Sequence, residues 1–565
     1  MTLRRAVIAV AVFAFALFTY PGATAVSLAT RVVPFSDSSA QPGDLPWLHV
    51  AHPAGARPFI ADERGRMVLL HGTTPASLVD FGPGVTPPYP IDPSAYADGA
   101  CPANKTSSRY PPLCQSDLVA MSAMGFNVVR LPISWSLLEP QRGRFSQTYL
   151  DRIAQVVEWA RALRMYVIID MHQNAFSHYV GASDHPINPV NLAYNSGAPK
   201  WATFTDGLPS TLLVENQREL NPAVFEATTN FWYDRDGIQD EYIAAIAFVA
   251  RRFKTDSVVA GYGVYNEPWV GWNLPPGFED LLLFPFYRRV IDAITGAHDG
   301  LPCWSGFFMP APCGYRDLGI DDQRHLFFLD TGLPREVTDF PTHLGLPVSS
   351  YRNVVLALHA YTHIYTIDKL MRQNLEDATY PWGGYEQSYA FADHEAGAMD
   401  AALFVEEFGN NPPDDHLILE AQVKEQERHR AGFAFWTWKE NGGSDSWGMF
   451  DPPTKSSAAS GCMRPSRELL LARVYPAASP DPDASFGYDD QTGSFVMHGT
   501  AKADAPPAVV YIPPQVKGPI AVSGTGPPDV QTLSNGVRIL TATPAGGPFA
   551  VDVAPEPLAP SPCAA

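Results

Sequence analysis

Short apolar runs recur along residues 67–438, and stretches with helical spacing of apolar residues separate most of them. Runs of this length, rich in β-branched and aromatic residues, predict buried strands. The predicted strands are Met67–His71, Phe126–Pro132, Arg164–Asp170, Gly261–Tyr265, His325–Asp330, Val354–Tyr361, Ala402–Glu407 and Gly432–Trp438. The clearest predicted helices are Asp117–Met124, Thr148–Leu163 and Glu241–Arg252. Alternation of strand and helix at this spacing indicates parallel pairing with right-handed crossovers. Eight such strands predict an α/β fold, the (β/α)8 TIM barrel.

The pattern changes after Cys462, where short alternating runs are separated by Pro, Gly and Asp turns. They predict a C-terminal all-β sandwich domain. Its strands are expected at Ser485–Tyr488, Ser494–Gly499, Ala508–Ile512, Ile520–Ser523, Val537–Ala542 and Phe549–Val553. We therefore divide the chain into a barrel domain over 61–462 and a sandwich over 463–565, preceded by an extended segment over 26–60.

Residues 1–25 resemble an export signal. Arg4 and Arg5 precede the apolar run Ala6–Phe18, and Ala23-Thr24-Ala25 offers a small-residue cleavage site. The run is shorter than the roughly 20 residues that span a bilayer. We expect a secreted protein, with an uncleaved anchor as the alternative.

Composition narrows the class of partner. The 565-residue chain carries a formal net charge of −20, which argues against binding to nucleic acid or to anionic membranes. Six cysteines in an exported chain suggest disulfides. Cys101/Cys114 and Cys303/Cys313 are close enough in sequence to close local loops, whereas Cys462 and Cys563 could pair or stay free. Their spacing does not suggest a zinc site, and we expect neither a metal nor another cofactor.

Polar and aromatic side chains follow the predicted barrel strands, at the face where barrel enzymes keep their active sites. They are Arg130, His172, Asn266, Glu267, His359, Tyr361, Glu407 and Trp436. Each alone is compatible with a structural role, such as a buried histidine or barrel filling. Their coincidence at strand ends favours a site.

Two of these residues, Glu267 and Glu407, would face each other across the barrel mouth. Glycosidic hydrolysis uses such a pair, with one carboxylic acid protonating the leaving oxygen and one carboxylate attacking the anomeric carbon. Arg130 and Tyr361 would keep Glu407 ionised, whereas partial desolvation would keep Glu267 protonated. Asn266 would bond the sugar 2-hydroxyl, and Trp436 would supply a platform for the sugar ring.

These motifs resemble glycoside hydrolase family 5 of clan A, and within it the endoglycoceramidases. The matching segments are Arg130-Leu-Pro, Asp170-Met-His172-Gln, Asn266-Glu267-Pro, His359-Ala-Tyr361, Glu406-Glu407-Phe-Gly and Phe435-Trp436-Thr-Trp-Lys439. The resemblance implies Glu407 as nucleophile, Glu406 being the lesser candidate, and Glu267 as acid/base. It further implies substrate contacts from Arg130, His172, Asn174, Asn266, His359, Tyr361, Trp436 and Lys439.

Two positions depart from the family pattern. Asn174 stands where endoglycoceramidases typically have Asp, and residues 73–77 lack the basic residue usual after strand one. An amide both donates and accepts hydrogen bonds, whereas a carboxylate only accepts. We therefore expect these two differences to alter recognition of the first sugar, and so which glycan is cut, but not whether hydrolysis occurs.

The resemblance implies a secreted retaining β-glycosidase that cuts between the sugar and the lipid of a glycolipid. Aromatic residues of the insert 173–237 and those following Glu267 either wall a lipid groove or pack the insert onto the barrel. Transient contact with a membrane or micelle fits the first reading, and the oligomeric state stays open. The alternatives are an endo-β-glucanase acting on polysaccharide and a non-catalytic carbohydrate- or lipid-binding protein.

Overall fold

The structure is a computed structural model of the chain. It describes residues 44–80, 90–102, 110–181, 195–211, 213, 218–273, 277–297, 302–304, 310–312, 317–338, 351–361, 384–410, 415–440, 446–450 and 462–560. The predicted signal over residues 1–25 lies outside them.

Eight parallel strands close into a barrel, which confirms the predicted fold class. Numbered one to eight in chain order, they are His71–Thr74, Val128–Ile133, Tyr166–Met171, Val259–Gly263, Leu326–Asp330, Val354–His359, Ala402–Phe408 and Gly432–Trp436. The barrel closes where Phe433 of strand eight pairs with His71 of strand one. Every residue of these strands is buried, as expected for parallel strands covered on both faces.

The three predicted helices begin and end within three residues of their predicted bounds, as Gln115–Ala123, Gln147–Ala162 and Ile238–Phe253, and the described residues contain further helices. The α-helices of the described residues are Gln115–Ala123, Trp135–Leu138, Gln147–Ala162, Pro222–Trp232, Ile238–Phe253, Phe284–Thr295, Leu333–Thr338, Gly384–Ala398, Asp415–Arg428 and Pro465–Leu471. The helix Gln147–Ala162 starts at Ser146, whose hydroxyl accepts a hydrogen bond from the Tyr149 N–H at 3.2 Å. Among the described residues, no helix combines the length and the apolar character needed to cross a membrane.

The β-sandwich contains all six predicted strands, with bounds shifted by at most two residues. Its four-stranded sheet runs in the order Ser485–Tyr488, Phe495–Ala501, Gly547–Val553, Ile520–Ser523. Its seven-stranded sheet runs in the order Leu48–Ala51, Phe59–Asp62, Met67–Val68, Tyr475–Ser479, Ala508–Ile512, Arg538–Ala542, Asp529–Thr532. Phe495, Met497, Val510, Leu540 and Val551 are buried in the core of this module.

Two expectations about the N-terminal part were wrong. The segment before residue 60 contains the strand Leu48–Ala51 and the start of the strand Phe59–Asp62, both of the seven-stranded sheet, and the predicted strand Met67–His71 is divided between two sheets. Met67 and Val68 pair with Ser479 and Ala478 of the sandwich, whereas His71 begins the barrel. The sandwich therefore takes strands from both sides of the barrel sequence. The domain limit at residue 463 stays a prediction.

The structure tests part of the cysteine pairing. Cys101 and Cys114 form a disulfide, as predicted, and so close a loop with a sequence separation of 13 residues. Cys462 is also disulfide-bonded, so it is not a free thiol. Cys313 and Cys563 lie outside the described residues, and so does the side chain of Cys303.

Candidate active site

The guanidinium of Arg130 lies at the centre of the barrel mouth and is fully buried. Its nitrogens contact a carboxylate of Glu407, the Asn266 Oδ1 at 2.7 Å and the Asp170 Oδ2 at 3.0 Å. Its Nε also lies 3.1 Å from the Glu406 Oε1. Arg130, on strand two, thus connects carboxylates near the ends of strands three and seven with Asn266, which follows strand four.

Glu407 is held at both carboxylate oxygens. Oε1 accepts from Arg130, and Oε2 accepts from the Tyr361 hydroxyl at 2.9 Å. The carboxylate is almost fully buried. A guanidinium and a hydroxyl thus hold and orient the carboxylate, and this arrangement suits a nucleophile.

Glu267 follows strand four in a left-handed backbone conformation, with φ of +43°. This conformation is uncommon for a residue with a side chain and persists where its surroundings fix it. The Glu267 N–H donates to the Asp330 Oδ2 at 2.8 Å, and its carbonyl accepts from the Gln173 Nε2 at 3.0 Å. Gln173 also donates to the Asn266 carbonyl at 2.6 Å. The backbone thereby aims the carboxyl into the mouth.

The two glutamates lie close together. A carboxylate oxygen of Glu267, one of Glu407 and a ring nitrogen of His359 all lie within 4.8 Å of one another. The His359 Nδ1 is 3.2 Å from the Glu267 Oε1 and 3.7 Å from the Glu407 Oε2. Carboxyl groups are roughly 5–5.5 Å apart in retaining glycosidases and roughly 6.5–9.5 Å apart in inverting ones. The observed separation suits direct attack by a carboxylate.

The ionisable groups of the site have shifted pKa values because they are buried. Burial, reinforced by the charge of Glu219, raises the pKa of Glu267 to about 7 against the opposing effects of Arg218 and Arg130. Burial also raises the pKa of Glu406 to about 7 although Arg130 lowers it. The same cause lowers the pKa of His359 to about 3. At neutral pH the imidazole is neutral, and Glu267 is poised to give up a proton.

These shifts predict how stability depends on pH. Folded Glu267 and Glu406 keep protons that the unfolded chain releases near pH 4.5, so stability falls as pH rises through their folded pKa values. Buried histidines such as His172, whose pKa burial lowers to about 3, oppose this trend only below their unfolded value near 6.5. Between pH 6.5 and 7.5 we expect the free energy of unfolding to fall by on the order of 1 kcal/mol, and to level off above pH 8, where both the folded and the unfolded state have lost these protons. Urea denaturation at several pH values measures it, and a rise over this range would contradict the assignment.

The aromatic platform lies beside the glutamates. Trp436 stacks on His172 with ring centroids 5.4 Å apart and an interplanar angle of 5°. Asn266 accepts from Arg130 and donates from Nδ2 to the Gln173 carbonyl at 2.9 Å. Each amide nitrogen carries two hydrogens, so one remains available for a sugar hydroxyl.

The structure does not bring every predicted residue to the two glutamates. The Lys439 ammonium pairs with Asp117 on the helix Gln115–Ala123, which indicates a structural contact. Asn174 pairs through its backbone with Ser196, at 3.1 and 3.0 Å, and its buried Oδ1 has no hydrogen-bond partner among the residues that the structure describes. Substrate contact by either residue stays a prediction.

Asp330 and Glu336 are part of the site but were absent from the predicted set, and Gln173 was named only within a motif. Asp330 is the last residue of strand five, so the rule that selects strand ends could have found it. Glu336 lies on the short helix Leu333–Thr338, and no sequence signal marks it. The Gln173 contacts depend on the path of the chain after strand four, at Asn266 and Glu267.

Within the described part of the chain, three groups of residues have donor atoms close enough to bind a metal ion. Cys101, Cys114 and Asp117 form one, but its cysteines are in a disulfide and supply no thiolate. The other two share His359 and combine it with Glu267 and Glu407 or with Asp330 and Glu406. Arg130 contacts a carboxylate in each, so a cation would meet a positive charge already in place.

The aromatic residues of the insert and of the segment after Glu267 differ in burial, and whether any of them wall a lipid groove stays a prediction. Phe176, Phe231 and Trp232 are buried, as packing onto the barrel requires. Trp272 is instead 50% exposed and stacks on Phe225, with ring centroids 4.6 Å apart. Phe225, which is half-buried, belongs to the insert, and the exposed Trp272 belongs to the segment that follows Glu267.

Comparison with known proteins identifies similar sequences and folds. The model of the cellulase family, glycosyl hydrolase family 5, matches residues 101–298, a stretch that contains Glu267 but ends before Glu407. Endoglycoceramidase I of Rhodococcus hoagii (strain 103S) is 30% identical over 226 residues, covering 40% of this chain and 37% of the relative. Alignments to endoglycoceramidases of Hydra vulgaris and Cyanea nozakii cover 38% and 33% of those proteins. The chain thus matches only about a third of the length of these relatives.

Solved structures match over most of the chain. The crystal structure of an endogalactoceramidase is 25% identical with a TM-score of 0.69, covering 90% of this chain and 100% of the other. The lactosyl-enzyme intermediate of endo-glycoceramidase II from Rhodococcus sp. is 25% identical with a TM-score of 0.64, covering 88% and 99%. The similarity therefore extends beyond the segment that matches in sequence.

Proposed function

We propose that this chain, which is related to the endoglycoceramidases of glycoside hydrolase family 5, is a retaining β-glycosidase that cleaves the sugar–lipid bond of a glycosphingolipid or related glycolipid. The observation that carries the proposal is the pair Glu267 and Glu407, whose oxygens lie within 4.8 Å in contrasting surroundings. Arg130 and Tyr361 bind the Glu407 carboxylate, whereas burial favours the protonated form of Glu267.

The reaction follows from these two environments. Glu407 attacks the anomeric carbon while Glu267 transfers its proton to the leaving lipid oxygen, and a covalent glycosyl-enzyme forms. Glu267, now ionised, takes a proton from the incoming water, whose oxygen attacks the anomeric carbon and displaces Glu407. The lactosyl-enzyme intermediate of the Rhodococcus sp. relative supports this course.

The surroundings of Glu267 support a lipid leaving group. The acid protonates the leaving oxygen, so the leaving group must approach Glu267. The half-exposed Trp272 follows five residues later and presents apolar surface to a lipid. The names of the related endoglycoceramidases agree with such a substrate.

A panel of substrates tests the proposal. Purified enzyme is incubated with glucosyl-, galactosyl- and lactosyl-ceramides, a steryl glucoside and cello-oligosaccharides, and the released sugar is measured. Release from ceramides, with little from cello-oligosaccharides, supports the proposal. Cleavage of cello-oligosaccharides alone would instead support the endo-β-glucanase, which the cellulase family model also favours.

The proposed mechanism predicts a pH dependence of kcat/KM. Glu267 must be protonated to act as an acid, and its pKa is about 7. Activity should therefore fall tenfold per unit as pH rises well above about 7. Initial rates on a glycolipid from pH 4 to pH 9 measure this basic limb, and a flat profile above pH 8 would contradict the role.

We also propose that the protein is exported. The support is the N-terminal sequence, in which Arg4 and Arg5 precede the apolar run Ala6–Phe18. Fractionation of cells that express the full chain tests it, with N-terminal sequencing of the exported form. Retention of the unprocessed chain inside the cell would argue against export.

A further inference from the structure

The register between strands three and four brings Gln173 beside the acid/base. Asp170 pairs with Gly263 across these two strands. Gln173 and Asn266 each follow three residues later in the chain, so they leave the barrel at the same level. The Asn266 N–H also donates to the Met171 carbonyl at 3.2 Å, which continues the pairing beyond the end of strand four. Gln173 is therefore a direct neighbour of the residues that carry the chemistry.

The buried carboxamide of Gln173 uses both of its hydrogens and its oxygen. Nε2 donates to the Asn266 carbonyl at 2.6 Å and to the Glu267 carbonyl at 3.0 Å. Oε1 accepts the Phe176 N–H at 2.8 Å. A carboxamide nitrogen carries only two hydrogens, so both are directed at the backbone of the catalytic segment. In a buried place, loss of either bond would leave a polar group unpaired at a cost in free energy.

Three non-glycine residues with positive φ lie around this carboxamide. Glu267 has a φ of +43°, and Ala175 and Phe176 have φ of +48° and +66°. Such conformations are uncommon for residues with a side chain and persist where their surroundings hold them. Gln173 bonds to the carbonyl of Glu267 and to the N–H of Phe176. One side chain thus holds the turn after strand three and the turn after strand four together.

A short segment of the insert, residues 195–198, packs on Gln173. The N–H groups of Asn174 and Ser196 each donate to the carbonyl of the other residue, at 3.1 and 3.0 Å. Gly197 lies so close that a Cβ on it would be 2.4 Å from the Gln173 Cβ. Its φ is +118°, in the region that favours glycine. A side chain at position 197 would therefore displace Gln173.

The barrel in turn holds this segment of the insert. The Gly197 N–H donates to the Asp80 Oδ1 at 3.2 Å. Its carbonyl accepts the Ser136 N–H at 2.8 Å. Asp80 comes after strand one and Ser136 after strand two, so two further strand ends fix the segment. The contacts continue from these strand ends through the insert to Gln173 and the acid/base.

We propose that Gln173 is a positioning residue for the acid/base, because its carboxamide fixes the backbone of Asn266 and Glu267 while the insert segment 195–198 fixes Gln173. The Glu267 carboxyl is then held in the place from which it protonates the leaving oxygen. This inference rests on the proposed function, because it takes Glu267 as the proton donor. It gives the insert a role in catalysis that is independent of lipid contact. Gln173 acts through hydrogen bonds and transfers no proton to substrate.

Gln173→Met tests the two donated hydrogen bonds, because methionine has a similar length but no N–H. We expect kcat/KM for the natural substrate that the panel identifies to fall about tenfold to a hundredfold, since a displaced acid protonates poorly. A dinitrophenyl glycoside needs little protonation, so its kcat/KM should fall less. The ratio of the two values should therefore change by about fivefold or more. A merely structural defect would lower both values by the same factor, and an unchanged ratio would overturn the proposal.

Gln173→Glu separates the donated bonds from the accepted one. It keeps an oxygen for the Phe176 N–H but carries at most one hydrogen to donate. It should therefore recover only part of the activity that Gln173→Met loses. Full recovery would mean that the contact with Phe176 alone matters, which would contradict a role in positioning Glu267.

Gly197→Ala tests the support from the insert. The added methyl group would lie 2.4 Å from the Gln173 Cβ, so it should displace Gln173 and change the same ratio about threefold or more. Gly207→Ala is the matched control, because Gly207 belongs to the same insert and also has a positive φ, of +76°. Among the described residues, no atom beyond its chain neighbours lies within 4 Å of the Cβ position of Gly207. Equal changes in both variants would overturn the role of the insert.

A crystal structure of Gln173→Met gives a readout that needs no substrate. The Glu267 carboxyl should move by about 1 Å or more, a displacement large enough to impair catalysis. An unmoved Glu267 would overturn the proposal even if no substrate in the panel were cleaved. A moved Glu267 in an enzyme that cleaves none of them would contradict the proposed function alone, so the two failures are distinguishable. If Gln173→Met fails to fold, the ratio measured in Gly197→Ala still decides.

Discussion

Replacing Glu407 by alanine is expected to lower kcat by on the order of 10⁴-fold or more on every substrate, because no other group forms the glycosyl-enzyme. A small anion can occupy the space that the carboxylate leaves. Azide should therefore restore turnover of a dinitrophenyl β-glycoside and yield the α-glycosyl azide, since it attacks from the side opposite the leaving group. Product analysis by NMR measures both the rescue and its stereochemistry.

Glu406→Ala is the matched control for this experiment. Glu406 precedes the nucleophile on strand seven and contacts the same Arg130, at 3.1 Å. Its loss should reduce activity, because Arg130 loses a partner, but azide should not restore it. Rescue of Glu406→Ala with no rescue of Glu407→Ala would transfer the nucleophile to Glu406.

The second large effect concerns Glu267. Glu267→Ala should slow glycolipid hydrolysis by about 10²- to 10⁴-fold, the usual contribution of a general acid. Formation of the glycosyl-enzyme from a dinitrophenyl glycoside should change little, because that leaving group departs without a proton. The basic limb near pH 7 should also disappear, because it reports the ionisation of the missing group.

Azide distinguishes the two glutamates. In Glu267→Ala it attacks the glycosyl-enzyme formed with Glu407 and should yield the β-glycosyl azide, the anomer opposite to that expected from Glu407→Ala. Equal losses on lipid and dinitrophenyl substrates would show that Glu267 is not the acid. A control at Glu139, a buried glutamate that accepts from the Trp135 indole at 2.8 Å, should leave the substrate ratio unchanged.

The barrel was predictable because its strands are buried on both faces and read as continuous apolar runs. Strands three and six matched their predicted bounds to within two residues. Two N-terminal strands of the sandwich, Leu48–Ala51 and Phe59–Asp62, were not predicted, because they lie in or at the end of a Pro/Ala/Gly-rich segment, and Met67–Val68 was predicted as part of a barrel strand. The strand Met67–Val68 also pairs with a strand about 410 residues away, as Val68 pairs with Ala478, whereas Leu48–Ala51 and Phe59–Asp62 pair with each other.

Only those residues of the site that lie at or just after the ends of barrel strands could be predicted from the sequence. The spacing of polar residues at strand ends brought Arg130, Glu267 and Glu407 together, and the structure has them in one cluster. The left-handed backbone of Glu267 and its anchoring by Asp330 depend on packing between strands, which the local sequence does not encode. A matching motif does not by itself place a residue in the site. Lys439 lies in such a motif, yet its ammonium pairs with Asp117 on an outer helix.

The stereochemistry of the first product tests the central claim most directly. Proton NMR follows the anomeric signal of the sugar released from a β-linked glycolipid, within the first minutes and before mutarotation. Attack by Glu407 followed by attack of water inverts the anomeric carbon twice, so the β-anomer should appear first. Initial release of the α-anomer would mean that a water molecule lies between the glutamates and that no glycosyl-enzyme forms.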